Sequence, residues 1–434
     1  MFDLPKFGDG VCLARLAALL EALSIDRAAL RRRSVVVTGS NGKGSTAAFC
    51  AGIGRAFGLR TGLFTSPHLY RFNERFQIDG VEIGDAALAA KVTRIETTIA
   101  ELARRRTDTF GAFEAQFALA CLHFQEAECD FAVFEAGIGG RYDPVRLVGA
   151  GGTAVTSVDF EHVELLGGSL ELIAFDKSDA CASGGSIVYG ENLLTLRPNI
   201  IEYNRYRDVR SIFVGDAIAI GNGMGQRFDF RFGDHDFRGL ELRLGGAFQH
   251  GNAAVATALF LLWLTQTRPA APPAAVEAAV RRALHEVRWP GRLEQIRKNP
   301  LTIIDVGHTP DGVRQALAGL KAAHGAAGWI LVLGISRDKN IEAITAELAP
   351  GFDTIVCTAA HHKGADATRI AAAVRSANAT ATVHVAVAIE DAVGVSTALA
   401  QSRGERIYVA GGLFVAVEYA TVVRGEPARD LKFF

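Results

Sequence analysis

The residues of this chain with the plainest chemistry are Thr38-Gly39-Ser40-Asn41-Gly42-Lys43-Gly44-Ser45-Thr46. They follow the β-branched run Ser34 to Thr38 and lead into Ser45 to Phe57, which reads as a helix. Strand, glycine-rich turn and helix in that order make an anion site. The glycines let backbone N–H groups converge on phosphate oxygens, and the helix adds its positive N-terminal end. Lys43 supplies a mobile cation for β and γ phosphates, and Ser45 or Thr46 a hydroxyl for phosphate or magnesium. The earlier glycine of a Walker A motif would fall at Val37, so the loop is a variant. Its nucleotide-binding candidates are Gly39, Asn41, Gly42, Lys43, Gly44, Ser45 and Thr46. A second glycine-rich run, Gly221 to Gly225, has no buried strand before it and no helix after it, and reads as a hairpin turn.

Glu135 ends the apolar strand Phe131 to Phe134 and precedes another glycine-rich turn, and a hard carboxylate oxygen there suits magnesium. Taken as residues alone, Glu135 is as readily a helix-capping carboxylate, His162 a surface histidine and Lys177 an exposed helix lysine. On the same terms Asn252 is a helix cap, and Trp289 packs at a domain junction.

These side chains must be positioned by alternating strands and helices. Leu13 to Leu23, Ala86 to Arg104 and Phe113 to Gln125 have helical spacing, while Thr61 to Phe64 and Thr153 to Val158 are further short apolar strands. Such alternation predicts an α/β fold with a mostly parallel sheet covered on both faces. From about Ser211 to Leu244 the pattern changes to closely spaced alternating segments, expected to be antiparallel strands packed on the first domain. The helix Ala274 to His285 ends near Val287 to Leu293, the expected junction, so the domains are predicted at 1–289 and 290–434. Beyond it the strands Leu301 to Val306, Trp329 to Leu333, Thr354 to Thr358, Thr382 to Ala386 and Arg406 to Ala410 predict a smaller, Rossmann-like α/β domain.

Nearly half of the 434 residues are apolar, and the formal net charge is −1, so no global field recruits nucleic acid or an acidic membrane. The basic run Arg31-Arg32-Arg33 is expected to be a solvated helix end. The six cysteines, Cys12, Cys50, Cys121, Cys129, Cys181 and Cys357, form no C-x-x-C pair, which fits reduced, buried thiols. Met1 to Gly10 lack the layout of a secretory leader, and the apolar stretch Ala253 to Leu264 falls short of the ~18 residues of a membrane span. A cytoplasmic, monomeric protein with small-molecule partners is the expectation.

The phosphate loop, followed by Thr65-Ser66-Pro67-His68-Leu69 and Asn73-Glu74-Arg75, resembles the folylpolyglutamate and dihydrofolate synthases, a branch of the Mur ligase superfamily. The likeness continues through Phe113-Glu114, Glu135 to Asp143, Glu161-His162, Lys177, Gln249 with Asn252-Ala253, and Trp289 to Glu294. It ends with Asp305, Gly307-His308, Pro310 and Asp338-Lys339, the order kept across nearly the whole chain. The resemblance implies a P-loop, Mur-ligase-like central domain and an ATP-dependent ligase of one-carbon metabolism. Such an enzyme forms an amide between a folate-like carboxylic acid and L-glutamate through an acyl phosphate. It further implies magnesium, at two sites, with Ser66, Glu135 and His162 as ligands of the ion beside the phosphates. Lys177 would be carbamylated and bridge a second magnesium or hold the acyl phosphate. Lys43, Lys177 and His162 would carry catalysis. Asn252 would contact the adenine, with Arg292 near phosphate, Asp305 near ribose and His308 approaching the nucleotide from the second domain.

Departures from the family pattern lie toward the acceptor and the second domain. Glu161-His162 stands for Asp-His, His308-Thr309-Pro310 for His-Asn-Pro, Val145-Arg146 for Thr-Asn, and Gly411-Gly412 for Gly-Ser. They leave open a ligase of the same superfamily acting on a non-folate acid in specialised metabolism. A P-loop ATPase or small-molecule kinase is the reading of a different class, and the second domain with Arg292, Asp305 and His308 argues against it.

Overall fold

Val35, Val36 and Val37 point alternately to opposite sides of their strand, yet all three are buried, so that strand must be covered on both faces. The computed structural model describes residues 4–5, 8–10, 13–104 and 109–433, apart from the side chains of 222–224, and Cys12 lies outside them. It places this strand, β1 (Ser34–Thr38), inside an eight-stranded sheet. The others are β2 (Thr61–Phe64), β3 (Phe76–Ile78), β4 (Val81–Glu82), β5 (Phe131–Glu135), β6 (Gly152–Val155), β7 (Ser186–Tyr189) and β8 (Arg210–Phe213), in the order β4-β3-β2-β5-β1-β6-β7-β8. From β2 to β8 neighbouring strands are parallel, and β3 and β4 add an antiparallel edge.

Val35 and Val37 face a core built with the helices Lys43–Ala56, Phe248–Thr267 and Pro273–Glu286. Val36 faces a second core with Leu13–Ala22, Asp85–Ala103 and Ala112–Glu126. The apolar stretch from Ala253 to Leu264 is thus a helix sunk in the first core, and among the described residues no helix is long and apolar enough to cross a membrane. A three-stranded antiparallel sheet follows: β9 (Ile218–Met224), β10 (Arg227–Phe232) and β11 (His235–Glu241). The glycine-rich run at 221–225 finishes β9 and opens the turn into β10, as its lack of a following helix implies. Expected to start the antiparallel region, Ser211 lies instead in β8, the last parallel strand of the large sheet.

The second sheet has six strands: β12 (Glu294–Lys298), β13 (Leu301–Ile304), β14 (Trp329–Leu333), β15 (Thr354–Thr358), β16 (Thr382–Ala386) and β17 (Arg406–Ala410). Their order is β12-β13-β17-β14-β15-β16, all parallel except β12 against β13. Its two faces carry separate cores, one around Leu331, Ile355 and Tyr408, the other around Val332, Val356 and Val409. Trp289 packs at the junction, its indole against Gly44 of the phosphate-loop helix, where a Cβ would come within 2.9 Å of the ring nitrogen. The C-terminal segment ties the two sheets' domains: His68 Nε2 meets Lys432 O at 2.6 Å, Arg75 Nη2 donates to Phe433 O at 3.5 Å, and the Phe433 ring packs on Phe414 and His362. Cys50, Cys121, Cys129, Cys181 and Cys357 are free and buried.

Candidate active site

The turn after β1 is held open from outside. Gly39 (φ 144°) and Gly42 (φ 85°) occupy backbone conformations unfavourable to other residues. A Cβ at Gly39 would fall 2.0 Å from Thr156 Oγ1, and one at Gly42 2.3 Å from Asn252 Oδ1. The end of β6 clasps the loop: Ser40 N donates to Ser157 O, Asn41 N to Ser157 Oγ, and Thr156 Oγ1 to Asn41 O at 2.6 Å. Lys43 Nζ bonds back to Gly39 O at 2.8 Å and Ser40 O at 3.3 Å, which fixes the ammonium over the loop. Asn252 works from below, since its Nδ2 donates to Gln249 Oε1 and Gln249 Nε2 donates to Ser45 Oγ. Thr46 Oγ1 is buried and has no partner among the described residues, an orphan hydroxyl that suits a phosphate or metal-bound oxygen.

Glu135 closes β5 at the same end of the sheet, one strand from the loop. Its Oε2 accepts from Ser66 N at 3.0 Å, so Ser66 and Glu135 are brought together. Burial pushes the Glu135 carboxyl up to about 7 against the pull of Lys43, the Ser66 N–H, Arg292 and Arg75. A buried carboxylate that costly to ionise fits a cation ligand, because the ion would offset the cost. The turn beyond it is organised by Asp143, whose Oδ2 accepts from Gly137 N and Ile138 N and whose Oδ1 accepts from Val145 N. Burial pushes Asp143 to about 6 despite those three bonds.

Of the pair Glu161-His162, it is Glu161 that turns inward: its Oε1 accepts from Lys177 Nζ at 2.8 Å. His162 is exposed, in a left-handed conformation (φ 46°), at the start of the short helix Val163–Leu166. Lys177, expected from sequence alone to be an exposed lysine, is only 1% exposed. Burial lowers its pKa, Glu161 opposes the shift and Lys43 adds to it. Burial would raise Glu161, but Lys43 and Lys177 outweigh it and hold the carboxyl at about 2. Among the described residues no three His, Cys, Asp or Glu side chains gather into a cage. A metal here would therefore lean on phosphate and water oxygens, the habit of magnesium.

The second domain reaches the same place. Both Asp305 oxygens are taken by backbone, Oδ1 by Gly307 N at 2.7 Å and Oδ2 by Leu293 N at 3.1 Å, so this carboxylate holds the loops that carry His308 and Arg292. Arg292 acts on Glu135, Asp305 and His308, and Lys43 acts on Glu135, Asp143, Glu161, Lys177 and His308. One charge from each domain thus falls on a shared set of groups. Thr309, to which sequence reasoning assigned no role, caps the helix Pro310–His324 by accepting from Gly312 N and bonds Asn41 Oδ1 through its hydroxyl at 3.2 Å. The one available signal was its place next to His308.

His308 is held neutral. Burial first, then Lys339, Arg292 and Lys43, lower its pKa from 6.5 to about 4. Between these values the unfolded chain takes up a proton that the folded chain refuses, so stability falls as pH drops from 6.5 to 4, by up to about 3 kcal/mol at the acid end. His308→Gln is expected to flatten the decline in melting temperature across that window. Equal slopes for variant and wild type would show that the ring is not desolvated.

Comparison with known proteins agrees with this geometry. Residues 291–413 match the family described as Mur ligase, glutamate ligase domain. The chain is 33% identical over 364 residues to folylpolyglutamate synthase of Lacticaseibacillus casei, covering 81% of each. It is 30% identical to dihydrofolate synthase/folylpolyglutamate synthase of Mycobacterium tuberculosis, over 93% of this chain and 85% of that protein. A crystal structure of the Mycobacterium tuberculosis folylpolyglutamate synthase, complexed with ADP and AMPPCP, superposes with a TM-score of 0.84 at 27% identity, covering 97% of this chain and 96% of that one. With the two-domain architecture and the phosphate loop already in view, the chain belongs to the folylpolyglutamate and dihydrofolate synthase family of ATP-dependent ligases.

Proposed function

We propose that this protein joins the carboxylate of a folate-like acid to the amine of L-glutamate, with ATP activating the acid as an acyl phosphate. The observation that carries this reading is the convergence of Lys43 and Arg292, from different domains, on the buried groups around the phosphate loop. An activating step gathers negative charge from ATP and a carboxylate, so cations on both walls are what the chemistry needs. Lys43 and the loop N–H groups hold the β and γ phosphates, and Arg292 neutralises charge as the γ-phosphoryl moves. Asn252, packed on Gly42, would contact the adenine.

Ser66, Glu135 and His162 are the residues that would hold magnesium, which when bound neutralises phosphate charge and orients the γ-phosphoryl. The buried Glu135 and its bond from Ser66 N support the first two, and the orphan Thr46 hydroxyl suits a metal-bound oxygen. Burial favours the neutral amine of Lys177, the form that adds carbon dioxide to give a carbamate and a released proton. Beside Glu161 such a carbamate makes a second anionic pair, suited to a second magnesium.

Oxygen tracing tests the reaction. With heavy oxygen in the acceptor carboxylate, the released phosphate should carry label, and only when amine is present for turnover. A kinase would leave the phosphoryl on its product, and an ATPase would take the oxygen from water. Lys177→Ala should slow label transfer, with partial recovery on adding small carboxylates. Label arriving from water and never from the acceptor would overturn the ligase reading.

A further inference from the structure

The contact between Thr309 and Asn41 spans 268 residues and joins the phosphate loop to the second domain. Asn41 is gripped twice. Its backbone is held by Thr156 and Ser157 at the end of β6, and its side chain by Thr309. The Thr309 hydroxyl accepts from Gly312 N at 3.1 Å, which leaves its proton for Asn41 Oδ1 at 3.2 Å. With the amide oxygen committed in this way, Asn41 Nδ2 is buried and has no partner among the described residues. A buried amide N–H2 without an acceptor is uncommon, and in a phosphate loop the fitting acceptor is a nucleotide phosphate oxygen. The approach is close on the helix side too, where a Cβ at Gly312 would meet Thr309 Oγ1 at 3.0 Å and Asn41 Oδ1 at 3.5 Å.

The geometry points to Thr309 as a positioning residue that sets the Asn41 amide, N–H2 toward the ATP phosphates, when the second domain docks on the phosphate loop. The inference rests on the placement of ATP at this loop. It assigns the docked domain a direct hand in nucleotide recognition: without the hydroxyl the amide is free to flip and present its oxygen to phosphate. Thr309 touches no reacting atom and acts only through Asn41.

The test uses the full-length enzyme and steady-state kinetics with ATP varied. Thr309→Val keeps the shape but removes cap and donor. Thr309→Gly removes the donor while remaining an acceptable start to the helix, and Thr309→Ser keeps both functions. Both Val and Gly variants should lose about tenfold in kcat/KM for ATP, the usual cost of leaving a buried polar group unsupported, and Ser should recover to within about threefold. On an Asn41→Ala background the Thr309→Val change should cost less than about twofold more, because its only route of action is gone. A full second tenfold loss in the double variant, or wild-type kcat/KM for ATP in Thr309→Gly, would overturn the inference. Calorimetric ATP binding separates it from its premise. If Lys43→Ala binds ATP as wild type does, the loop placement fails; if binding needs Lys43 but kinetics ignore Thr309, only the positioning role fails.

Discussion

Lys43→Ala is expected to reduce ATP-dependent turnover by about a thousandfold or more, equivalent to about 4 kcal/mol of transition-state stabilisation. The size follows from where the ammonium sits. Anchored to Gly39 O and Ser40 O, it pulls on Glu135, Asp143 and Glu161 and repels Lys177 and His308. One ammonium thus acts on five groups of the site. On the proposed reading its loss removes the charge partner of the β and γ phosphates, and it also unbalances the pair Glu161–Lys177. Folding should be largely spared, because the lysine's own bonds are to the loop it heads and not to the core. Phosphate release at saturating ATP, acid and amine checks the expectation. Near-normal turnover in the variant would remove the phosphate-loop assignment.

Glu135→Gln should lower turnover by about a thousandfold and weaken magnesium affinity, while leaving the fold as stable as before or more so. The two halves of this prediction have one cause. Burial lifts the folded-state carboxyl from 4.5 to about 7. The unfolded chain ionises at lower pH, so stability falls as pH rises from 4.5 to 7, and the penalty is fully present above that window, up to about 3 kcal/mol. Glutamine keeps the shape, removes that penalty and would deprive the proposed magnesium of its charged ligand. A lower melting temperature with more than about a tenth of turnover retained would mark Glu135 as structural, since loss of a charged metal ligand costs far more than that.

The family resemblance and most elements were legible because they rest on short-range physics. The run Ser34 to Thr38 is β-branched and becomes β1 residue for residue, and Trp329 to Leu333, Thr354 to Thr358, Thr382 to Ala386 and Arg406 to Ala410 do the same. The strand, glycine-rich turn and helix around Lys43 were legible because a β-branched run, clustered glycines and a helical pattern follow one another there. Less apolar or shorter segments were not legible. Strand β12, with the sequence EQIRK, and the two-residue β4 carry no apolar run, and each exists through pairing with a partner strand.

Which strand lies beside which was decided by tertiary structure alone. In the order β4-β3-β2-β5-β1-β6-β7-β8 the phosphate loop gains β5 and β6 as neighbours, and with them Glu135 and the clasp of Thr156 and Ser157. Burial was likewise decided at a distance. Lys177 reads as a surface lysine from its helix, and in the fold it is buried and paired with Glu161 from another segment. The contact of Thr309 with Asn41 belongs to this class. Residue type and spacing determined which chemistry was present in this chain, because phosphate loops and strands are recognised by local geometry. Long-range packing decided which charges share one desolvated space, because Coulomb forces and burial depend on distance in the folded molecule and not along the chain.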